Sequence, residues 1–404
     1  DSYALWADNH ITRNGEPYSE GDFLQLLDRL WQDHQIRIPD SRALPFTGGW
    51  FVYLGYELAG QIEPRLNLPM DSEQPVAVMT RIPAAVIHDH QTGQTTLVAE
   101  PGQESTLEQI AQDVEHVTGL TGNELPSISV KMEADEPQHY LRGVEQVKHY
   151  IVEGDVFQVN LSRGWQGEVS PAPTGADLYE QLCQTNPAPF AALAQLPGLN
   201  IISSSPERLA KVSDGRIETR PIAGTRPRGR EQHGDTANLE ELIGHPKERA
   251  EHIMLIDLER NDLGRVCEPG SVEVDELMGL ETYAHVHHIV SNVTGRLRSD
   301  VTPGDAIRAV FPGGTITGCP KERCMAIIAE LEQVPRGAYT GSLGYLNHNG
   351  DLDLNILIRT ITQQGEHLAL RAGAGLVFDS IGENELQETE HKARGMLLAL
   401  GAVN

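Results

Sequence analysis

YTGSLGYLNHNGDLDLNILIRTITQQGEHLALRAGAGLV, residues 339–377, decides the fold. Three apolar segments, 339–346, 352–361 and 368–377, follow one another here with no helix between them. Parallel neighbours would need a crossover of a dozen or more residues, so a succession of this kind builds antiparallel sheet. Asn349-Gly350 marks the first turn as a hairpin. Arg359 lies inside the apolar segment 352–361, where a buried guanidinium needs an anionic partner and makes a natural carboxylate clamp. The hairpin loop length sets its neighbour. A two-residue loop pairs Thr340 with Arg359, and a three-residue loop pairs Tyr339 with Arg359. Only the second brings a phenol beside the guanidinium.

Working outward, Pro137 opens an expected helix over 137–154, with Tyr140, Val144, Val147 and Ile151 as its apolar stripe. The segment 156–162 alternates Phe157, Val159 and Leu161 with Gln158, Asn160 and Ser162, so the strand has one wholly polar face. That face suits either open surface or the lining of a polar cavity. Strands are expected at 201–204 and 217–219, and helices at 246–263, 320–331 and 383–400. Before residue 137 lie a buried strand running into a turn (48–60), a hairpin (83–100) and a polar connector (101–136) carrying one amphipathic helix over 106–117. Strands and helices do not alternate as βαβ units. The expectation is one α+β domain over 1–404 on mostly antiparallel sheet, with an N-terminal subregion 1–125 and a catalytic subregion 137–404.

The 404 residues are 39% hydrophobic and 22% charged, a globular profile. The formal net charge of −27 argues against nucleic acid or an anionic membrane as partner, since both require a basic face. An anionic substrate would have to be held by a local arrangement against the overall field. Cys183, Cys267, Cys319 and Cys324 form no paired framework and no CxxC zinc spacing, which fits reduced thiols in the cytoplasm. No apolar run reaches the roughly 20 residues of a membrane span, and no signal peptide is expected.

Four glutamates carry the first chemical signal. Glu248 and Glu251, and far away Glu385 and Glu388, each have the i, i+3 spacing that places two carboxylates on one helix face. If the pairs converge, a cation must lie between them, and all-oxygen donors suit Mg²⁺. If they do not, they are solvated faces. Lys392, four residues after Glu388, makes an ordinary surface pair with it. Glycines mark places of close backbone approach: GGTITG (313–318), read as a loop opening the helix at Pro320 and suited to an anion, and RAGAG (371–375) within a strand. His287-His288 has no third histidine or cysteine nearby to complete a metal site. Glu207 follows a strand and a proline, a position suited to a functional acid.

Six blocks now stand in one order: PIAGTRPRG (221–229), DLERNDLGR (257–265), HHIVSNVTG (287–295), FPGGTITGCPKERC (311–324), GSLGYLNHNGDLD (341–353) and RAGAGLVFDS (371–380). Together they closely resemble the chorismate-utilising enzymes, among them the first components of anthranilate and aminodeoxychorismate synthases and the isochorismate and salicylate synthases. The resemblance is strong from about residue 137 onward. In the N-terminal third it rests mainly on GGWFVYLGYEL. It implies two stacked antiparallel sheets framed by helices, with the active site in a cleft between them. It further implies that Glu251 and Glu388 ligate Mg²⁺ directly and that Glu248 and Glu385 help through water. Arg359, Tyr339 and the backbone at Gly373 and Gly375 would hold the enolpyruvyl carboxylate. Glu207 would protonate the hydroxyl leaving ring carbon 4, and His288, Thr315, Gly224 and Thr225 would line the ring pocket. The 1–125 subregion becomes a candidate effector site.

The nucleophile is read from two further positions. Family members that add water carry a lysine base where this chain has Gln158, and a neutral amide cannot deprotonate water. Ammonia needs no base, so amination is expected. Many aminodeoxychorismate synthases carry a nucleophilic lysine where this chain has Ala223, as anthranilate synthases do. The surrounding FPGGTITG and His287-His288, by contrast, are similar to the aminodeoxychorismate synthases. The resulting expectation is an aminodeoxychorismate synthase component I of a lysine-free type, with anthranilate synthase component I as the alternative. No cysteine occupies a G-x-C-x-G turn, so a separate glutamine amidotransferase subunit is expected to supply ammonia.

Overall fold

The strand Ser342–Asn347 turns into Leu352–Asn355 with Gly344 opposite Leu354, Tyr345 opposite Asp353 and Leu346 opposite Leu352. The amide of Asn347 donates to the Asp351 carbonyl at 2.7 Å, which leaves a three-residue loop. This is the register that aligns Tyr339 with Arg359. The ladder continues irregularly, with Leu357 N donating to Gly341 O at 2.8 Å, and then leaves the sheet. The single strand expected over 352–361 is two strands in two sheets. Thr360–Gln364 pairs instead with Leu199–Ser205 and His367–Leu376. Arg359 stands at the crossover with a φ of +54°, in the left-handed region that non-glycine residues rarely adopt. Apolar periodicity could not reveal the break, because both halves are buried.

This computed structural model describes residues 1–36, 44–118, 126–227, 246–282 and 286–403, without the side chains of 118, 223–227, 246–248, 282, 286 and 287. Every strand pairing among the described residues is antiparallel. The larger sheet runs from Ile222–Pro227 through Val286–Arg296, Arg208–Ser213 and Leu352–Asn355 to Gly49–Leu54, Ala77–Ile82 and the first three strands of the chain. The N-terminal residues thus extend the same sheet through Gly49–Leu54, which pairs with Ser342–Asn347. The smaller sheet contains Phe190–Leu196, Leu199–Ser205, Thr360–Gln364, His367–Leu376 and Gln158–Glu168. Tyr53, Val78 and Leu343 of the first sheet meet Ala194, Leu199 and Ile201 of the second in one apolar cluster, so the sheets stack face to face.

Helices cover the outer faces. Phe23–Asp33, Pro246–Gly264 and Pro303–Val310 bury Leu27, Ile256, Leu263 and Ile307 against the larger sheet. Gly175–Thr185 and Gly382–Ala399 pack Leu178, Leu182, Met396 and Leu397 on the smaller one. Pro137–Val152 and Lys321–Glu332 close its end through Tyr140, Val144, Val147, Ile327 and Ile328. The two short helices at 175 and 303 escape an apolar-stripe reading. Each announces itself by a capping box, Thr174 with Asp177 and Thr302 with Asp305. The polar connector is not wholly a surface loop either, since Glu133–Ala134 pairs with Gln166 and Trp165 in the smaller sheet. No helix among the described residues is long and apolar enough to cross a membrane.

Candidate active site

The strand Gln158–Glu168 carries the polar face singled out above, and that face is interior. Gln158, Asn160 and Ser162 are 8, 9 and 6% exposed. Val159 and Leu161, on the opposite face, pack under the helices that begin at 137 and 321. Two glycines of the neighbouring strand make room for the amides. A Cβ on Gly375 would lie 2.3 Å from Gln158 Nε2, and one on Gly373 would lie 2.7 Å from both Asn160 Oδ1 and the Tyr339 hydroxyl. The RAGAG glycines are therefore a floor on which these side chains lie.

Glu207 follows the strand Leu199–Ser205 and is 5% exposed. Thr315 donates its hydroxyl to Glu207 Oε1 at 2.7 Å, and the Ile222 backbone N–H also donates to this carboxyl. Burial outweighs these contacts and the nearby Arg359 and Lys392 cations, and pushes the carboxyl up to about 7. Such a group carries a proton for much of the time at neutral pH, as a general acid must. Thr315 sits in a short 3₁₀ turn, Gly314–Ile316, and Gly318–Cys319 then pairs with Val159 and Gln158 before the helix begins at Lys321. The GGTITG segment thus does not run straight into the helix N-terminus as expected. It holds the acid and adds a strand beside Gln158. Gly318 has a φ of +128°, and a Cβ there would strike the Gln158 carbonyl at 2.1 Å.

Arg359 faces Tyr339, Glu207 and Glu388, whose charges partly offset a burial that lowers its guanidinium below the ordinary value. Tyr339 is buried. Glu385 and Glu388 share the helix face toward Tyr140, whose hydroxyl feels both carboxylates. Lys392 beside Glu388 holds that carboxyl below the usual range, against its burial, through a 2.8 Å ion pair. Lys392 was read as an ordinary surface partner, but its Nζ also donates to the Gly373 carbonyl at 3.0 Å. It therefore points into the cleft, and nothing in the i, i+4 spacing could reveal this.

Glu251 lines a surface cavity of about 330 Å³ with Phe157, Val377, Phe378 and Asp379. The first glutamate pair thus faces the segment that leads into the helix bearing the second. The Glu248 side chain lies outside the description. Among the described residues no three His, Cys, Asp or Glu form a metal-type cluster. His288 is buried in the strand Val286–Arg296, with its backbone opposite Thr225 and Glu281. Ala223 pairs with Ile289, and a bulge at Gly224 shifts the register before Thr225. The side chains of Ala223 and Thr225 are outside the description, as is that of His287.

A buried cation that the motifs do not signal ties these segments together. Arg336 donates to Glu332, to the carbonyls of Asn160 and Ile316, and to Thr340 Oγ1. Its guanidinium lies 5.4 Å from the Tyr339 ring centroid and 4.9 Å from that of Tyr56.

A family model described as chorismate binding enzyme matches residues 4–398. The chain is 44% identical over 361 residues to an anthranilate synthase component I-like protein of Synechocystis, a match covering 88% of this chain and 73% of that one. It is 42% identical over 395 residues to aminodeoxychorismate synthase component 1 of Bacillus subtilis, covering 95% and 83%. The structure of anthranilate synthase component I from Streptococcus pneumoniae superposes with a TM-score of 0.86 at 32% identity, over 98% of this chain and 89% of that one. With a match to nearly its whole length and a shared fold, the chain belongs to the chorismate-binding enzyme family.

Proposed function

We propose that the chain is component I of an aminodeoxychorismate synthase, converting chorismate and ammonia to 4-amino-4-deoxychorismate on the way to p-aminobenzoate and folate. The observation that carries this reading is Glu207, a buried acid with a carboxyl near 7, set beside Arg359 and Lys392 in a cleft whose polar strand offers Gln158 and no base. Arg359, Tyr339 and Lys392 hold the enolpyruvyl carboxylate over Gly373 and Gly375. His288, Thr315 and the backbone at Gly224 and Thr225 border the ring. Glu207 gives its proton to the hydroxyl leaving ring carbon 4. Because Ala223 offers no nucleophile, ammonia itself adds at carbon 2, the ring double bonds shift, and water departs, giving 2-amino-2-deoxyisochorismate. A second ammonia adds at carbon 4 and expels the first. The ammonium formed in the first addition restores the proton of Glu207, so one chorismate and one ammonia yield one product and one water.

Glu251 and Glu388, aided by Glu248 and Glu385, would hold Mg²⁺. The donor set fits: it is all oxygen, and Lys392 keeps Glu388 ionised. When bound, the ion supplies positive charge to the ring carboxylate. The ammonia source is a glutamine amidotransferase subunit, and four free thiols accord with a cytoplasmic location. Anthranilate synthase component I is the second reading, favoured by Ala223 and by the similarity to the Streptococcus protein. Separating the products of chorismate, Mg²⁺ and ammonium decides between them. The proposal expects 4-amino-4-deoxychorismate, and anthranilate with released pyruvate would install the alternative.

A further inference from the structure

Two amide oxygens in the cleft, Gln158 Oε1 and Asn160 Oδ1, are buried without a hydrogen-bond partner among the described residues. Leaving a buried acceptor unpaired costs about 1–3 kcal/mol, so native proteins rarely tolerate two together without a use for them. The pair is not an accident of side-chain orientation at Asn160. Its Nδ2 donates to the Thr315 carbonyl at 3.3 Å, which turns Oδ1 toward Gly373. Gln158 and Asn160 alternate along one strand, so their side chains leave the same face, roughly 7 Å apart at the backbone. Each lies over one of the two floor glycines.

We infer that these two oxygens form the binding subsite for the amine nucleophile. This rests on the aminating function proposed above and assigns its second substrate a place. Two acceptors and no donor select a ligand rich in N–H. Ammonia has three N–H bonds and one lone pair. Bonding two hydrogens to Gln158 Oε1 and Asn160 Oδ1 leaves the lone pair free to form the C–N bond. An amide carbonyl accepts a hydrogen bond but does not take the proton, so the nitrogen stays oriented without a base. Position supports the assignment. Thr315 accepts from Asn160 through its carbonyl and donates to Glu207 through its hydroxyl, so one residue links the amine subsite to the acid. The lone pair forms the bond to carbon 2 as the C4–O bond breaks, and the oxygen leaves as water with the Glu207 proton.

The test is steady-state kinetics with ammonium chloride as the varied amine at saturating chorismate and fixed pH, on the unaltered protein and on Asn160→Ala and Gln158→Met. Loss of one neutral hydrogen bond predicts a rise of about tenfold in KM for ammonia in each variant, with KM for chorismate within about twofold. A rise in KM for chorismate with an unchanged KM for ammonia would overturn the subsite alone. A rise in both would do the same, because it would show only a structural role. Failure of the unaltered protein to form any C–N bond would overturn the subsite together with the function it rests on. If Asn160→Ala does not fold for want of its Thr315 contact, Gln158→Met decides the question by the same readouts.

Discussion

The Thr315 hydroxyl donates to Glu207 Oε1 at 2.7 Å, and this single contact joins the glycine loop of one block to the acid of another 108 residues earlier. It does not keep the carboxyl ionised, since burial prevails and raises it to about 7. Activity that needs the protonated form should therefore decline above about pH 7, approaching tenfold per pH unit. Glu207→Gln should lower kcat by roughly 10²–10⁴-fold while chorismate still binds, as measured by initial rates and by equilibrium titration.

The same carboxyl makes a stability prediction. Between about pH 4.5 and 7 the folded chain keeps a proton that the unfolded chain has released. The contribution is thus fully present below the unfolded value and is lost as pH rises to about 7. A shift of this size corresponds to about 3 kcal/mol. Glu57 and Glu259, also buried and raised to about 7, add slopes of the same sign. At pH 8, Glu207→Gln should melt at a higher temperature than the unaltered protein, and the difference should vanish near pH 4. An equal melting temperature at both pH values would remove the buried-acid assignment.

Arg359 is held at a φ of +54° and is desolvated as a cation. Strain in this region costs about 1–2 kcal/mol per residue. Arg359→Gly should accordingly be no less stable to denaturant than the unaltered protein, while chorismate affinity falls more than about 100-fold, the loss of a bidentate charge contact. Loss of stability together with affinity would mean that the arginine is structural.

Lys392 reaches the Gly373 carbonyl and Glu388 from a half-exposed position. Lys392→Met should raise KM for chorismate about tenfold but change stability by less than about 1 kcal/mol, because a partly exposed ion pair contributes little. It should also raise the pH at which Glu388 ionises.

Mg²⁺ binding is expected to depend on Glu251 and Glu388. Titration calorimetry on Glu388→Gln should show Mg²⁺ affinity reduced by more than about tenfold with an unchanged melting temperature in its absence. Unaltered affinity would take the metal away from this helix.

Much of this site was legible from residue type and spacing, and the exceptions share a cause. The three-residue hairpin loop was one of two registers open to the sequence, and it is the one that brings Tyr339 to Arg359. Gln158 and Asn160 announced a polar face by alternation, yet only the tertiary fold could say that the face points inward. Lys392 was hidden because its i, i+4 glutamate supplied an adequate surface explanation. Arg336 was hidden because its contacts come from Tyr56, Asn160, Ile316 and Glu332, four places scattered along the chain. The break at Arg359 was hidden because 356–358 remain apolar on both sides of the crossover. Local patterns report local structure. What converges from afar, or turns between two buried sheets, leaves no period in the sequence.

The central claim, that ammonia alone does the work of the missing lysine, is tested most directly by ¹⁵N NMR during turnover of chorismate with Mg²⁺ and ¹⁵N-ammonium. The predicted result is a transient ¹⁵N signal bonded to ring carbon 2, followed by one on ring carbon 4, with the enolpyruvyl group intact throughout. Label appearing only in anthranilate, with free pyruvate, would contradict it.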